Sequence, residues 1–189
     1  MTVLTRFAPS PTGRLHVGNI HTALHNYLFS RKNRGTFILR IDDTDQERST
    51  TEFDQAIQSD LDWLGLSPDK IFRQSERFAL YERQFETLKA AGRVYPCYET
   101  SEELELRRKV LLGRGLPPVY ERRPADAPVP EGRAPHWRFR LDHDLPIVWN
   151  DLIRGEQKFD PKLLSDPVVR RENGSWLYML TSVIDQFDI

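Results

Sequence analysis

Apolar positions change period several times along the chain, and each change marks an element. Val3 to Ala8 alternates and stops at Pro9, which predicts a short strand. Pro9, Pro11 and Gly13 then force a tight, irregular loop. From Val17 to Arg34 the residues Ile20, Ala23, Leu24, Tyr27 and Leu28 recur at helical spacing, and Gly35 stands where a helix C-cap glycine is expected. Thr36 to Ile41 alternates again, with Phe37, Leu39 and Ile41 on one face. Strand, helix and strand in this order predict a βαβ unit with parallel strands. A helix from Glu52 to Leu64 follows, carrying Phe53, Ile57, Leu61 and Leu64, and Gly65 with Pro68 ends it. Another is predicted from a Ser75 cap to Ala91, with Phe78, Tyr81, Phe85 and Leu88 on one stripe.

The second half has a different character. Val94 to Tyr98 predicts a strand, and Thr100 with Glu103 forms a capping box that starts a basic helix to about Leu112. Residues 114–135 carry Pro117, Pro118, Pro124, Pro128, Pro130 and Pro135, so an exposed loop is expected. His136 to Leu141, Ile147 to Ile153 and Gln157 to Phe159 are short strand candidates. Val168 to Glu172 and Ser175 to Tyr178 flank Asn173-Gly174, the signature of a hairpin. The β-rich half is expected to be a subdomain distinct from the βαβ front. Nothing supplies the second βαβ half of a doubly wound sheet, so the chain is expected to stop inside a domain.

Composition narrows the class. The 189 residues suit one domain or two small ones, with ordinary apolar (39%) and charged (29%) fractions. No apolar run reaches the roughly 18 residues of a membrane span, and no signal peptide is expected at Met1 to Arg14. The lone cysteine, Cys97, excludes a disulfide framework and fits a reducing cytoplasm. Net charge is −1, yet it is unevenly spread. Residues 42–86 hold twelve acids and five bases; residues 107–140 hold nine Lys/Arg and three acids. A polyanion could approach the second segment, or both could be solvated faces.

The loop between the first strand and helix carries the chemistry. A helix N-terminus offers backbone N–H groups and partial positive charge to phosphate. Gly18 lets backbone approach a ligand, and His16 can donate to charge developing on a phosphate. The short string around His16 is unspecific, but the whole run from Pro9 to Asn19 between strand and helix is not.

Arg6-Phe7-Ala8-Pro9-Ser10-Pro11-Thr12-Gly13 followed by His16-Val17-Gly18-Asn19 resembles the first signature of bacterial-type glutamyl-tRNA synthetases, class I enzymes with the consensus His-Ile-Gly-His. Arg40-Ile41-Asp42-Asp43-Thr44-Asp45, Tyr95-Pro96-Cys97-Tyr98 and Ser165-Asp166-Pro167-Val168 resemble later blocks of that family. The resemblance implies an α/β fold. Residues 1–94 would be the first half of a Rossmann-type parallel sheet, 95–178 an inserted α+β subdomain gripping the tRNA acceptor end, and 179–189 a return to the catalytic domain. It implies activation of L-glutamate by ATP with Mg²⁺, transfer to tRNA(Glu), a monomeric cytoplasmic parent enzyme and no membrane partner. Pro11, Thr12, Gly13, His16, Gly18 and Asn19 would face ATP, with His16 and Asn19 catalytic. Arg6, Ala8, Ser10, Asp42 and Tyr178 would face glutamate, Arg6 binding its side-chain carboxylate and Ser10 with Asp42 its α-ammonium. Asp42 departs from the commoner Glu by one methylene. Tyr178 could equally be a packed hairpin aromatic. Arg107, Arg108, Arg114, Arg122 and Arg123, with Lys109 and Arg133, would meet tRNA phosphates, a solvated helix face being the alternative.

The family's second signature loop and anticodon-binding region are absent, so the segment alone is expected not to aminoacylate. A glutamyl-queuosine tRNA synthetase-like paralogue and a non-catalytic tRNA-binding module are the competing readings. Pro9 to Gly13 reads Pro-Ser-Pro-Thr-Gly rather than the Pro-Glu-Pro-Asn-Gly of glutaminyl enzymes, which argues against glutamine. His21 and His25 lack a third ligand in sequence, and no metal is expected there. Cys97 has no second cysteine, so no structural zinc is expected. Asp43 and Asp45 are expected to cap a helix or pair with Arg48.

Overall fold

Thr50 and Thr100 show how the chain starts its helices. Each accepts a backbone N–H with its hydroxyl, from Phe53 and Glu103 respectively, and so relieves one unpaired donor of the first turn. The computed structural model describes residues 3–124 and 127–189. It divides into two units, Met1–Arg83 and Gln84–Ile189.

In the first unit β1 (Leu4–Phe7), β2 (Thr36–Ile41) and β3 (Lys70–Arg73) form a parallel sheet in that order, Leu4 beside Thr36 and Ile38 beside Lys70. Helix α1 (Val17–Lys32) joins the first two strands, and α2 (Thr51–Trp63) lies between the second and third. One core holds Phe7, Phe37, Leu39 and Ile41 from the sheet, Ala23 from α1, and Ile57 with Leu61 from α2. The opposite face of β2 is also buried, with Ile38 and Arg40 pointing there. Arg6 stands in register with Ile38 and so belongs to that second face.

Two expectations need correction here, and one strand was not expected. Gly35 is not the left-handed C-cap of α1: Asn33 is the cap and Arg34 takes the positive φ of 53°. Gly35 is needed for another reason, because a Cβ there would stand 2.2 Å from the Val3 carbonyl oxygen. Strand β3 had no alternating apolar signal, since charged residues occupy both its ends. Ser75 does not cap the next helix; it lies in a 3-10 turn (Gln74–Arg77) that runs into α3 (Phe78–Ala90).

In the second unit β4 (Val94–Cys97), β5 (His136–Phe139) and β8 (Val168–Arg170) form an antiparallel sheet with β5 in the middle. Strands β6 (Ile147–Asp151) and β7 (Gly155–Phe159) make a separate hairpin. Helix α4 (Ser101–Gly113) has the expected capping box. Phe85 of α3 packs edge-on to Trp137 and Trp176, and the Arg170 guanidinium lies over Phe85 and Trp176. Asp166 is the polar centre. Its carboxylate accepts from the Tyr95 hydroxyl (2.5 Å), from Arg122 Nε and Nη2 (2.6 and 3.0 Å) and from the Leu141 amide (3.0 Å).

The predicted hairpin is shorter than expected. Asn173-Gly174 does turn the chain, but only Arg170 and Trp176 bridge across it. Ser175 to Tyr178 is therefore not a strand, and Tyr178 heads α5 (Tyr178–Asp188). The proline-rich stretch 114–135 is irregular as expected, residues 125 and 126 lying outside the described ones, yet it buries Tyr120. No helix among the described residues is long and apolar enough to cross a membrane.

Candidate active site

The carboxyl ends of parallel strands gather loops, and a ligand crevice is expected outside them. Here the loop after β1 is tied to the loop after β2 by backbone bonds: Asp42 N–H donates to Pro9 O (2.9 Å) and Thr50 N–H to Pro11 O (3.1 Å). Thr12 N–H folds back on Ser10 O (2.9 Å). Pro9 and Pro11 are buried, while Ser10, Thr12 and His16 are exposed. The prolines anchor the loop and leave its polar members outward.

His16 is the N-cap of α1. Its Nδ1 accepts the Gly18 amide (3.1 Å), and the Asn19 side-chain oxygen accepts the His16 amide (3.2 Å). The ring nitrogen that accepts carries no proton, so in the neutral ring the proton is on Nε2. The first turn is thus reciprocally closed, and the imidazole presents an N–H donor outward. Gly18 also has a role that spacing alone does not show. Its amide is occupied by His16, and a Cβ on it would lie 3.0 Å from His16 Cε1. The glycine makes room for the ring.

Arg40 and Asp42 form a buried two-point ion pair, Nε to Oδ1 at 2.6 Å and Nη2 to Oδ2 at 2.8 Å. Arg6, half-buried, occupies the same sheet face as Arg40. Ala8 is half-buried beyond the end of β1, and Gly13 faces open space. In the second unit Tyr178 is exposed.

Three features escaped the sequence reading. Asp43 is neither a helix cap nor a partner of Arg48: its carboxylate accepts the Ser75 amide (2.8 Å) and hydroxyl (2.6 Å), clasping the loop after β2 to the turn after β3. Asp45 does pair with Arg48, whose guanidinium holds the carboxyl below its ordinary value. A cleft of about 460 Å³ opens beside these groups, lined by Pro11, Asp43, Thr50, Asp54, Arg73 and Ser75 among others. In the second unit the ligand atoms of Cys97, Glu99 and His136 lie within 4.8 Å of one another. Tyr120 bridges two of them, its hydroxyl 3.2 Å from Cys97 Sγ and from both Glu99 oxygens. Burial pushes the Cys97 thiol up, and burial followed by the Arg138 charge pushes His136 down. Sequence spacing does not show this cluster, since it is strand pairing that brings His136 opposite Cys97.

The basic residues are less free than their sequence suggests. Arg107 pairs with Glu121, Arg108 with Glu105 and Arg133 with Glu103. Arg122 is committed to Asp166, and Arg123 bonds the Pro128 carbonyl. Arg114 stands at the C-terminus of α4.

A parallel sheet joined by helices, with a histidine-capped helix and polar loops at its carboxyl edge, is an α/β arrangement with a ligand crevice expected at that edge. The chain belongs to the family of class I tRNA synthetases (E and Q), catalytic domain, which it matches over residues 2–189. It is 72% identical over 185 residues to glutamate–tRNA ligase 2 of Sphingopyxis alaskensis, covering 98% of this chain and 42% of that protein. It is 62% identical to glutamate–tRNA ligase 1 of Zymomonas mobilis, covering 99% and 44%. Among solved structures, a glutamate tRNA ligase from Elizabethkingia meningosepticum in complex with its amino acid superposes with a TM-score of 0.85 at 33% identity, over 100% of this chain and 42% of that one. The chain therefore spans less than half the length of these relatives.

Proposed function

We propose that this chain carries the ATP- and glutamate-facing half of a glutamate–tRNA ligase. The observation that carries the reading is the closed first turn of α1. The Gly18 amide fixes His16 Nδ1 as acceptor and leaves Nε2–H to donate. In the reaction the α-carboxylate of glutamate forms a bond to the α-phosphorus of ATP, whose bond to pyrophosphate breaks. A ribose hydroxyl of the tRNA end then takes the glutamyl group and AMP leaves. The donor on His16 and the amide of Asn19 stabilise charge spread over phosphate oxygens, without a covalent intermediate. Pro11, Thr12 and Gly13 shape the loop beside the phosphates, and Mg²⁺ arrives with ATP as part of the substrate.

Arg6 offers a planar two-point donor to the side-chain carboxylate of glutamate. Ser10 and Asp42 receive its α-ammonium, Asp42 as a carboxylate held in orientation by Arg40. The solved relative in complex with its amino acid supports an amino-acid site in this fold. Arg107, Arg108, Arg114 and Arg123 meet tRNA phosphates, and Arg122 supports that surface from behind through Asp166. Tyr120 joins Cys97 and Glu99 as a hydrogen-bonded pair of contacts beside His136, and this joint works without a structural zinc.

Calorimetric titration with ATP and Mg²⁺, then with a glutamyl-adenylate analogue, tests the reading. Analogue binding abolished by Arg6→Ala and weakened by His16→Ala supports it. A chain that binds tRNA but neither nucleotide nor analogue would establish a non-catalytic RNA module instead.

A further inference from the structure

Helix α1 carries two histidines that the phosphate site does not use. His21 and His25 are one turn apart on its exposed side, and their Nε2 atoms are 3.1 Å apart. The rings meet at a centroid distance of 4.4 Å and an interplanar angle of 64°. One hydrogen bond between neutral rings satisfies this distance, and so does one shared cation.

The geometry of the shared cation is specific. With metal–nitrogen bonds of roughly 2.0–2.1 Å, nitrogens 3.1 Å apart subtend about 98° at the ion. That angle lies between the right angle of square or octahedral ligation and the tetrahedral angle. Each ring has only to tilt about its own χ2 to turn its lone pair from its neighbour to a shared ion, and the helix backbone that holds both is already closed at its N-terminus by the His16 and Asn19 capping box. Against the expectation from sequence that no metal binds there, we propose that His21 and His25 form a two-imidazole site for a late first-row divalent transition ion, Cu²⁺ binding more strongly than Ni²⁺ or Zn²⁺.

Among the described residues no third His, Cys, Asp or Glu joins the pair, so water fills the remaining positions. The site is therefore open and exchangeable, unlike a closed structural zinc site. Occupancy clips the second turn of α1 to the third and stabilises the folded chain by mass action.

The test titrates the 189-residue chain with CuCl₂ and NiCl₂ in a non-chelating buffer, by calorimetry and by the visible absorption of the bound ion. The expected result is one ion per chain, bound at least tenfold more weakly by His21→Ala and by His25→Ala, because either change leaves a single imidazole. Both side chains are exposed, so the variants keep the wild-type circular dichroism. Cys97→Ser binds as the parent does, which separates this site from the Cys97, Glu99 and His136 cluster. Unchanged affinity in both histidine variants would overturn the proposal, and so would loss of the bound ion in Cys97→Ser alone.

Discussion

The Gly18 amide and the His16 imidazole are interlocked: the amide donates to Nδ1 at 3.1 Å, and a Cβ on Gly18 would reach within 3.0 Å of the ring. One residue therefore sets both the tautomer of the imidazole and the space it occupies. The contact is tight but falls on a side chain that can rotate, so Gly18→Ala is expected to fold. The ring must give by a few tenths of an ångström, which weakens the bond that orients it. Losing an oriented hydrogen bond is worth about 1 kcal/mol, so ATP should bind roughly five- to tenfold more weakly. In a full-length enzyme carrying this segment, His16→Ala should slow ATP–pyrophosphate exchange by about 10²–10³ while Gly18→Ala loses much less. Equal losses in the two variants would show that Gly18 contributes to the site independently of the ring.

The Arg40–Asp42 pair makes a stability prediction. Both side chains are withdrawn from water, at 0% and 4% exposure. Removing one partner of a buried pair strips the other charge of its two-point bond, which costs about 3–5 kcal/mol. Asp42→Ala should therefore lower the urea midpoint of the first unit strongly, whether or not glutamate is present. A variant of wild-type stability that has lost only glutamate binding would place Asp42 in the pocket without this structural role.

How far the sequence exposed the fold depended on the range of the forces involved. Periodicity located α1, α2 and β2 within a few residues, because each has one apolar face against a common core. It missed β3, a sheet edge whose placement comes from pairing with β2 rather than from its own apolar face. Sequence marks Gly35 as special, but for a reason that does not hold. A cap is local and legible, whereas an approach to Val3 across the βαβ connection is visible only in three dimensions. In the site, the motif from Arg6 to Asn19 was read as a unit, yet the bond consuming the Gly18 amide was not. Asp43 and Ser75 are 32 residues apart, and Cys97 and His136 meet only through antiparallel pairing. The strong Asn173-Gly174 signal offers a hairpin as the alternative to a pocket role for Tyr178, but the turn serves a single bridge before α5 begins, and Tyr178 is exposed at its head.

Two groups of the second unit give it a pH response with two steps. Burial, reinforced by the Arg138 charge, lowers His136 below its ordinary value. The folded state then binds a proton less readily than the unfolded state, so stability is complete above the unfolded value of about 6.5 and declines as pH falls below it. Burial opposes ionisation of Asp166, but Arg122, Tyr95 and the Leu141 amide outweigh it and hold the carboxyl below the usual range. Its contribution is complete above the unfolded value of about 3.9 and is lost as pH drops through the lower folded value. Thermal melts from pH 8 to pH 2.5 should show both declines. His136→Gln should remove the upper one and leave the lower.

The basic segment separates surface charges from structural ones, and RNA binding can tell them apart. Arg107 and Arg108 hold exposed ion pairs, which contribute little to stability and can exchange partners for phosphate. Arg122 is different, since its partner Asp166 is 1% exposed and also serves Tyr95 and Leu141. With an acceptor-stem minihelix, alanine at Arg107, Arg108 or Arg114 should each lower the slope of log affinity against log salt by about 0.7–1 and leave the melting temperature unchanged. Arg122→Ala should destabilise the second unit by about 3 kcal/mol and weaken RNA binding only through that loss. Restoring the fold at low temperature should then restore binding by Arg122→Ala, while the other three variants stay weak. A salt slope unaltered by all three surface variants would make the segment a solvated helix face.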